Sequence, residues 1–179
     1  LRWRDAAKAL EEENRALRAL AATAAAPQAH TVTARIVAGS VNPYTRSALI
    51  SAGEEDGVKK DGAVVAPEGL IGRVVENGQG SARVLLVTDL HSRVPVIGEL
   101  SRERGILAGN NSPELMLAYA ASHSKLQPSE RLLTSGDGGV FPAGIPVAVV
   151  SRVQDGSVVA MPLADWRRSD YVSVLDYTF

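Results

Sequence analysis

Three imidazoles and one glycine-rich turn are the first places to look for covalent or metal chemistry in this 179-residue chain. His91 closes Thr88-Asp89-Leu90-His91, His123 sits in Ser122-His123-Ser124-Lys125, and His30 precedes the first valine-rich run. No two of them have the His-x-x-x-His spacing that sets two imidazoles on one helix face around a zinc ion. Cysteine is absent, which removes thiolate ligands, a thiol nucleophile and disulfides, without identifying the compartment. Thr134-Ser135-Gly136-Asp137-Gly138-Gly139 is glycine-rich, but it leads into a valine-rich run. It therefore lacks the helix N-terminus that makes such loops bind phosphate. A serine nucleophile needs a base and an orienting carboxylate in mutual reach. His91 with Asp56 or Asp89 could supply those two groups, but Ser135 stands before Asp137, and Gly138 follows it. No catalytic, cofactor-binding or metal-binding residue is assigned, and the chain is expected not to be an enzyme.

The elements that would position any site follow from composition and punctuation. With 45% hydrophobic and 22% charged residues the chain can bury a core, and with 4% aromatics that core must be built from Val, Leu, Ile and Ala. Nineteen basic against 20 acidic residues leave a net charge of -1, which argues against a nucleic-acid partner. No apolar run approaches 18 residues, so no spanning helix is expected in it. The chain opens Leu-Arg-Trp-Arg with no initiator Met. It is expected to be part of something longer, with any membrane anchor lying outside it.

Residues 1–26 contain no Gly and no Pro and are rich in Ala, Leu, Glu and Arg, the residues that lose least on entering a helix. Pro27 ends that stretch. Trp3, Leu10 and Leu17 are seven apart. Placed at heptad position d, they put Ala7, Asn14 and Ala21 at a, Glu13 at g and Arg18 at e. That pattern supports a parallel coiled-coil dimer with Asn14 fixing register. The small a residues also permit an antiparallel pair, and a leucine stripe can equally pack on its own domain. Leu10, Asn14 and Leu17 are the candidate self-association residues.

From His30 onward Gly and Pro recur between short Val-, Leu- and Ile-rich runs. Twelve strands are expected: 31–38, 47–50, 63–66, 70–75, 82–87, 94–97, 104–108, 114–120, 131–134, 145–153, 158–161 and 171–175. So many short strands without intervening helices mean a sandwich or barrels. Asp155-Gly156 and Asn77-Gly78 are hairpin signals. Gly57-Val58-x-x-x-Gly62-x-x-Val65 repeats as Gly139-Val140-x-x-x-Gly144-x-x-Val147, and Arg73-Val74 has an echo in Arg152-Val153. The expected fold is mainly β: a coiled-coil-like helix at 1–26, then two small, similar, roughly six-stranded barrels at 27–98 and 99–179. Tyr44, Tyr119, Phe141 and Trp166 are the scarce large aromatics of these units. Phe141, among turn residues and before Pro142, is the candidate exposed anchor for a partner. Arg167-Arg168 is expected to be a solvated turn.

The order of these features resembles the extracytoplasmic part of the MreC rod-shape family over nearly the whole chain. The resemblance rests on Glu13-Asn14-x-x-Leu17, Val-Thr-Ala-Arg-Ile-Val at 32–37, Gly-x-x-Asp-Gly-Val at 53–58 and Gly-Leu-Ile-Gly-Arg-Val at 69–74. It continues in Ser-Ala-Arg-Val-Leu-Leu-Val-Thr-Asp at 81–89 and Arg-Gly-Ile-Leu-Ala-Gly at 104–109. The most specific piece is Leu-Leu-Thr-Ser-Gly at 132–136 followed by Gly-Val-Phe-Pro-Ala-Gly-Ile-Pro-Val-Ala-Val-Val at 139–150. The resemblance implies a single-pass protein on the periplasmic face of the bacterial inner membrane, with two barrel subdomains and no cofactor. It implies a structural scaffold of the elongation machinery that inserts lateral-wall peptidoglycan. Implied partners are further copies of itself, as a dimer or filament, the elongation-specific class B penicillin-binding transpeptidase that it switches on, and MreD, RodA, RodZ and MreB.

Two other classes stand beside this one. Asp56–Val65 faintly resembles the turn-strand of lipoyl-type hammerheads, as in periplasmic adaptor subunits of efflux or secretion complexes. Those adaptors carry a helical hairpin, whereas this chain shows one helix. Two six-stranded barrels also resemble chymotrypsin-like proteases, but the residue that would be the nucleophile of Gly-Asp-Ser-Gly-Gly is Gly138 here.

Overall fold

The computed structural model describes residues 2–24, 30–41, 44–118, 125–154 and 157–176. Helix α1 spans Arg2–Ala24, without a glycine or proline to interrupt its hydrogen bonds. Twelve strands follow: β1 His30–Val41, β2 Arg46–Ile50, β3 Ala63–Ala66, β4 Gly69–Asn77, β5 Ala82–Leu86 and β6 Arg93–Gly98. The remainder are β7 Arg104–Ala108, β8 Leu115–Ala118, β9 Arg131–Thr134, β10 Pro146–Gln154, β11 Ser157–Pro162 and β12 Tyr171–Asp176. Every expected strand is present, with ends moved by a few residues. The only other helical pieces among the described residues are the single turns Glu54–Asp56 and Asp137–Gly139. Asn77 pairs with Ala82 across the Asn77-Gly78 turn, and Gln154 pairs with Ser157. Asp155-Gly156 itself lies outside the described residues, as do Pro27, Tyr119 and His123 and the side chains of Arg18, Ala21 and His30.

The strands close into two antiparallel barrels, one ordered β1-β12-β3-β4-β5-β2 and the other β10-β11-β8-β7-β6-β9. This corrects the expected sequential boundary. The last strand, β12, pairs with β1 and β3 and closes the first barrel, so the second barrel is inserted between β5 and β12. The physical reason is edge closure. β1 and β3 would otherwise expose unpaired backbone groups facing each other, and a strand from the far end of the chain satisfies both. Strand periodicity is the same in either barrel, so local pattern carries no sign of which barrel a strand joins.

The two barrels share one neighbour order when β3, β4, β5, β12, β1 and β2 are matched with β6 through β11 in turn. This is a cyclic permutation of the chain, and it places β3 opposite β6; matching β12, β1, β2, β3, β4 and β5 with β6 through β11 gives the same neighbour order and places β3 opposite β9. The sequence repeat placed β3 opposite β10, so it marks a shared local turn and no equivalent position in the barrels. In each copy a one-turn helix ends near a left-handed glycine, Gly57 at φ 91° or Gly139 at φ 69°, before the chain enters a strand. Arg152 and Val153 lie in β10, the same strand as Val147, whereas Arg73 and Val74 lie in β4, the strand after the one that holds Val65.

Two apolar clusters hold the fold together. Ala34, Ala48, Ile50, Val64, Ile71, Val74, Val84, Val172 and Val174 fill the first barrel. The second cluster fills the other barrel and reaches beyond it. Ala63, Val65, Leu70 and Leu175 of the first barrel pack into it with Leu107, Leu132, Phe141, Ile145 and Val147. Strand β3 shows why: Val64 and Ala66 point to one cluster and the alternate residues Ala63 and Val65 to the other, so all four are buried. Gly69 serves the same contact. A Cβ there would stand 2.5 Å from the carbonyl oxygen of Pro146 in β10, so only glycine allows this approach.

Candidate interaction surfaces

The helix presents its heptad stripe to solvent. Trp3, Leu10 and Leu17 are 89%, 64% and 59% exposed, and Asn14 lies exposed between the two leucines. Seven residues are nearly two turns, so the three apolar side chains share a face. That face is not covered by the chain's own barrels, which disfavours intramolecular packing of the stripe. An amphipathic helix of this length gains most of its stability from tertiary or intermolecular burial of its apolar side.

Phe141 is not a surface anchor. It is 3% exposed and belongs to the cluster that joins the barrels. The turn residues around it misled the sequence reading, because the loop 135–145 folds inward over the end of the second barrel. Thr134, itself buried, organises that loop. Its hydroxyl donates to the Pro142 carbonyl at 2.5 Å and accepts the Ile145 N–H at 2.9 Å. Its backbone carbonyl accepts the Gly144 N–H, with Gly144 at φ 90°. The Leu-Leu-Thr-Ser-Gly segment is thus a structural clasp whose closure buries Phe141.

Of the other aromatics, Tyr44 is exposed beside the β1–β2 turn, and Trp166 is half-buried against the first barrel. The exposed apolar strip that the sequence reading missed lies on the outer face of the first barrel. Val37, Leu49 and Tyr171 project there from β1, β2 and β12, with the Arg35 guanidinium 5.6 Å from the Tyr171 ring centre. Strand alternation was the available signal. Val32, Ala34 and Ile36 face the core, so Arg35 and Val37 face out.

The residues considered for catalysis fall into separate networks. Ser135 Oγ donates to Asp137 Oδ2 at 2.9 Å, and the same carboxylate holds Arg104 at 2.7 and 2.9 Å. The Ser135 hydroxyl, then Arg104, keep the Asp137 carboxyl below its ordinary value. His91 is exposed and pairs through Nδ1 with buried Asp89 at 3.1 Å. Asp89 is occupied structurally, accepting the backbone N–H groups of Arg46 at 2.7 Å and His91 at 2.8 Å. The Ser135 hydroxyl and the His91 imidazole thus have different carboxylate partners. No group of three or more His, Asp or Glu side chains suited to a metal occurs among the described residues. No helix among them is long and apolar enough to cross a membrane.

One buried acid has a defined structural role. Glu130 accepts the N–H groups of Leu100 at 2.9 Å and Ser101 at 2.6 Å, bracing the β6–β7 turn. Burial pushes its carboxyl up, but hydrogen bonds led by Ser101 outweigh this and hold it below the usual carboxylate value.

Comparison with known proteins places this architecture. Residues 36–176 match the family model described as rod shape-determining protein MreC, barrel core. The cell shape-determining protein MreC of Caulobacter vibrioides is 38% identical over 173 residues, covering 97% of this chain and 50% of that protein. That of Cereibacter sphaeroides is 36% identical over 97% of this chain and 58% of its own length. The chain thus spans about half the length of these relatives. Among solved structures, MreC from Pseudomonas aeruginosa superposes with a TM-score of 0.77 at 36% identity, covering 81% of this chain and 98% of that one. The Helicobacter pylori complex between penicillin-binding protein PBP2 and MreC shares the fold at a TM-score of 0.63 and 18% identity, covering 84% of this chain and 100% of that one.

Proposed function

The chain belongs to the MreC family, and from that premise we propose that it is a scaffold of the bacterial cell-elongation machinery, acting at the periplasmic face of the inner membrane. The family is one of structural shape-determining proteins and not of enzymes. In this reading the chain self-assembles through α1 and binds the elongation-specific penicillin-binding transpeptidase, shifting it toward its active state. MreD, RodA, RodZ and MreB are the further members of the assembly. The observation that carries the partner is the Helicobacter pylori complex, in which a protein of the same fold is joined to PBP2.

Two features of this chain support a scaffold. The barrels are closed around apolar interiors, and the exposed apolar strips on α1 and on the first barrel's outer face are surfaces a partner can cover. Activation without catalysis requires only that the scaffold bind the active transpeptidase conformer more tightly than the inactive one. The test is calorimetric titration of a soluble transpeptidase ectodomain with this chain, at low and high salt, for wild type and Leu49→Asp. Binding should weaken only modestly with salt, because apolar contacts are little screened. Leu49→Asp should weaken it by about tenfold or more, the scale of an apolar anchor at an interface. Loss of binding in moderate salt would refute the apolar contact, and no binding at all would refute the partner.

A further inference from the structure

A cleft of about 250 Å³ lies between the barrels, where both chain crossings run side by side. One crossing supplies Val87 and Thr88, leading from β5 toward β6; the other supplies Ala164, Asp165, Trp166 and Arg167, leading from β11 toward β12. Its floor is apolar, with Ile71 and Leu86 from the first barrel and Met161 from the second. Its polar features are two guanidinium groups, Arg46 and Arg167, and the Asp165 carboxylate.

Among the described residues these two arginines, like Arg35, Arg93, Arg102 and Arg168, lack the acidic partner that five others on the barrels have; Arg46 is set apart by its buried Nε. Arg73, Arg83, Arg104, Arg131 and Arg152 are each paired with an aspartate or glutamate. Arg46 and Arg167 have no carboxylate partner among the described residues. The Nε–H of Arg46 is buried and unpaired, although its backbone N–H is bound by Asp89. A buried donor without an acceptor is costly, so native proteins keep few of them without a use. The Arg167 guanidinium is held 5.4 Å from the Trp166 ring centre, which presets it at the rim. Asp165 Oδ1 accepts the backbone N–H of Arg167 at 3.0 Å and closes the local turn, and among the described residues no ion pair joins its carboxylate to either arginine.

We propose that this inter-barrel cleft is a binding site for a segment of a partner protein that presents an apolar side chain next to an aspartate or glutamate. The apolar side chain would cover Ile71, Leu86 and Met161, and the carboxylate would meet the Arg46 fork, whose planar donors match carboxylate geometry. The volume falls below the range usual for cofactor and drug-sized sites, about 300–1,000 Å³, and suits one or two side chains. Because the cleft is walled by both crossings, its occupant would also fix the angle between the barrels. This inference does not rest on the transpeptidase being the partner.

The experiment is a ¹⁵N-resolved NMR titration of this chain with acetyl-Ala-Leu-Asp-Ala-amide, and with the same peptide carrying Asn in place of Asp. The expected result is a saturable shift of the Arg46 Nε–H, the Trp166 indole N–H and the Thr88 amide, with the Asn peptide bound about tenfold more weakly. Arg46→Gln should abolish the preference for Asp. Arg167→Gln, on the exposed rim, should reduce it and keeps the test decisive if the Arg46 variant misfolds. Equal binding of the two peptides, shifts confined to other surfaces, or no shift at about 10 mM peptide would each overturn the proposal.

Discussion

The backbone N–H of Arg46 donates to Asp89 Oδ2 at 2.7 Å across 43 residues of sequence, tying the start of β2 to the first crossing between the barrels. Asp89 is fully buried, and its other oxygen accepts the His91 N–H, so one carboxylate fixes both the crossing and the barrel it leaves. Asn111 adds a third tie, with its N–H donating to the Thr88 carbonyl and its Oδ1 accepting the Leu90 N–H. The inter-barrel geometry is therefore set by hydrogen bonds as well as by the shared apolar cluster.

Asp89→Ala should destabilise the chain by about 3 kcal/mol, because it leaves two N–H groups without their charged acceptor. Asp89→Asn keeps one of the two acceptor oxygens and should cost less than Asp89→Ala. Urea unfolding of the two variants checks the order, and equal stability of wild type and Asp89→Ala would remove the carboxylate from this role.

The self-association residues are tested on the helix alone. Leu10→Asp combined with Leu17→Asp should lower the assembled mass in analytical ultracentrifugation and leave the near-UV signal of the barrels intact. An unchanged mass would move self-association to the barrels. Asn14→Leu should change the oligomeric state or register without abolishing assembly, since a polar residue at an a position specifies pairing at a cost in stability.

Glu130 predicts a pH dependence. Its folded-state carboxyl is held below its ordinary value, so the unfolded chain binds the proton more readily. Its stabilisation is therefore present above the ordinary carboxylate value near pH 4.5 and is lost as pH falls through the lower folded-state value. The difference in unfolding free energy between wild type and Glu130→Gln should be about 1–2 kcal/mol at pH 7 and should shrink toward zero in strong acid. A difference that stays constant from pH 7 to about pH 2 would assign the effect to shape and not to charge.

Thr134→Val should cost about 1–3 kcal/mol, by stranding the Ile145 N–H and the Pro142 carbonyl in a buried loop. Thr134→Ser retains both bonds and should cost less. Increased acrylamide quenching would be ambiguous, so the readout is Phe141 ring contacts by NMR, which should be lost in the valine variant and kept in the serine variant.

Much of the architecture is determined by local sequence. Arg2–Ala24, within a stretch free of Gly and Pro, forms α1, and Val-, Leu- and Ile-rich runs between turn residues form the twelve strands, because backbone preference and side-chain periodicity act over a few residues. The ordered motifs from residue 32 to residue 150 were enough to identify the family, and the heptad spacing of Leu10 and Leu17 was enough to place both on one helix face. What the tertiary structure alone decided is long-range. Strand β12 alternates like any other, and nothing local says that it returns past an entire barrel to pair with β1 and β3. Phe141 carries the turn neighbours of a surface residue, yet Thr134 closes its loop inward and buries it. The cleft of Arg46 and Arg167 exists only because two crossings separated in the chain by the whole second barrel lie side by side. Burial, pairing partner and cavity are properties of which distant surfaces meet, and a pattern that repeats every second residue does not specify that choice.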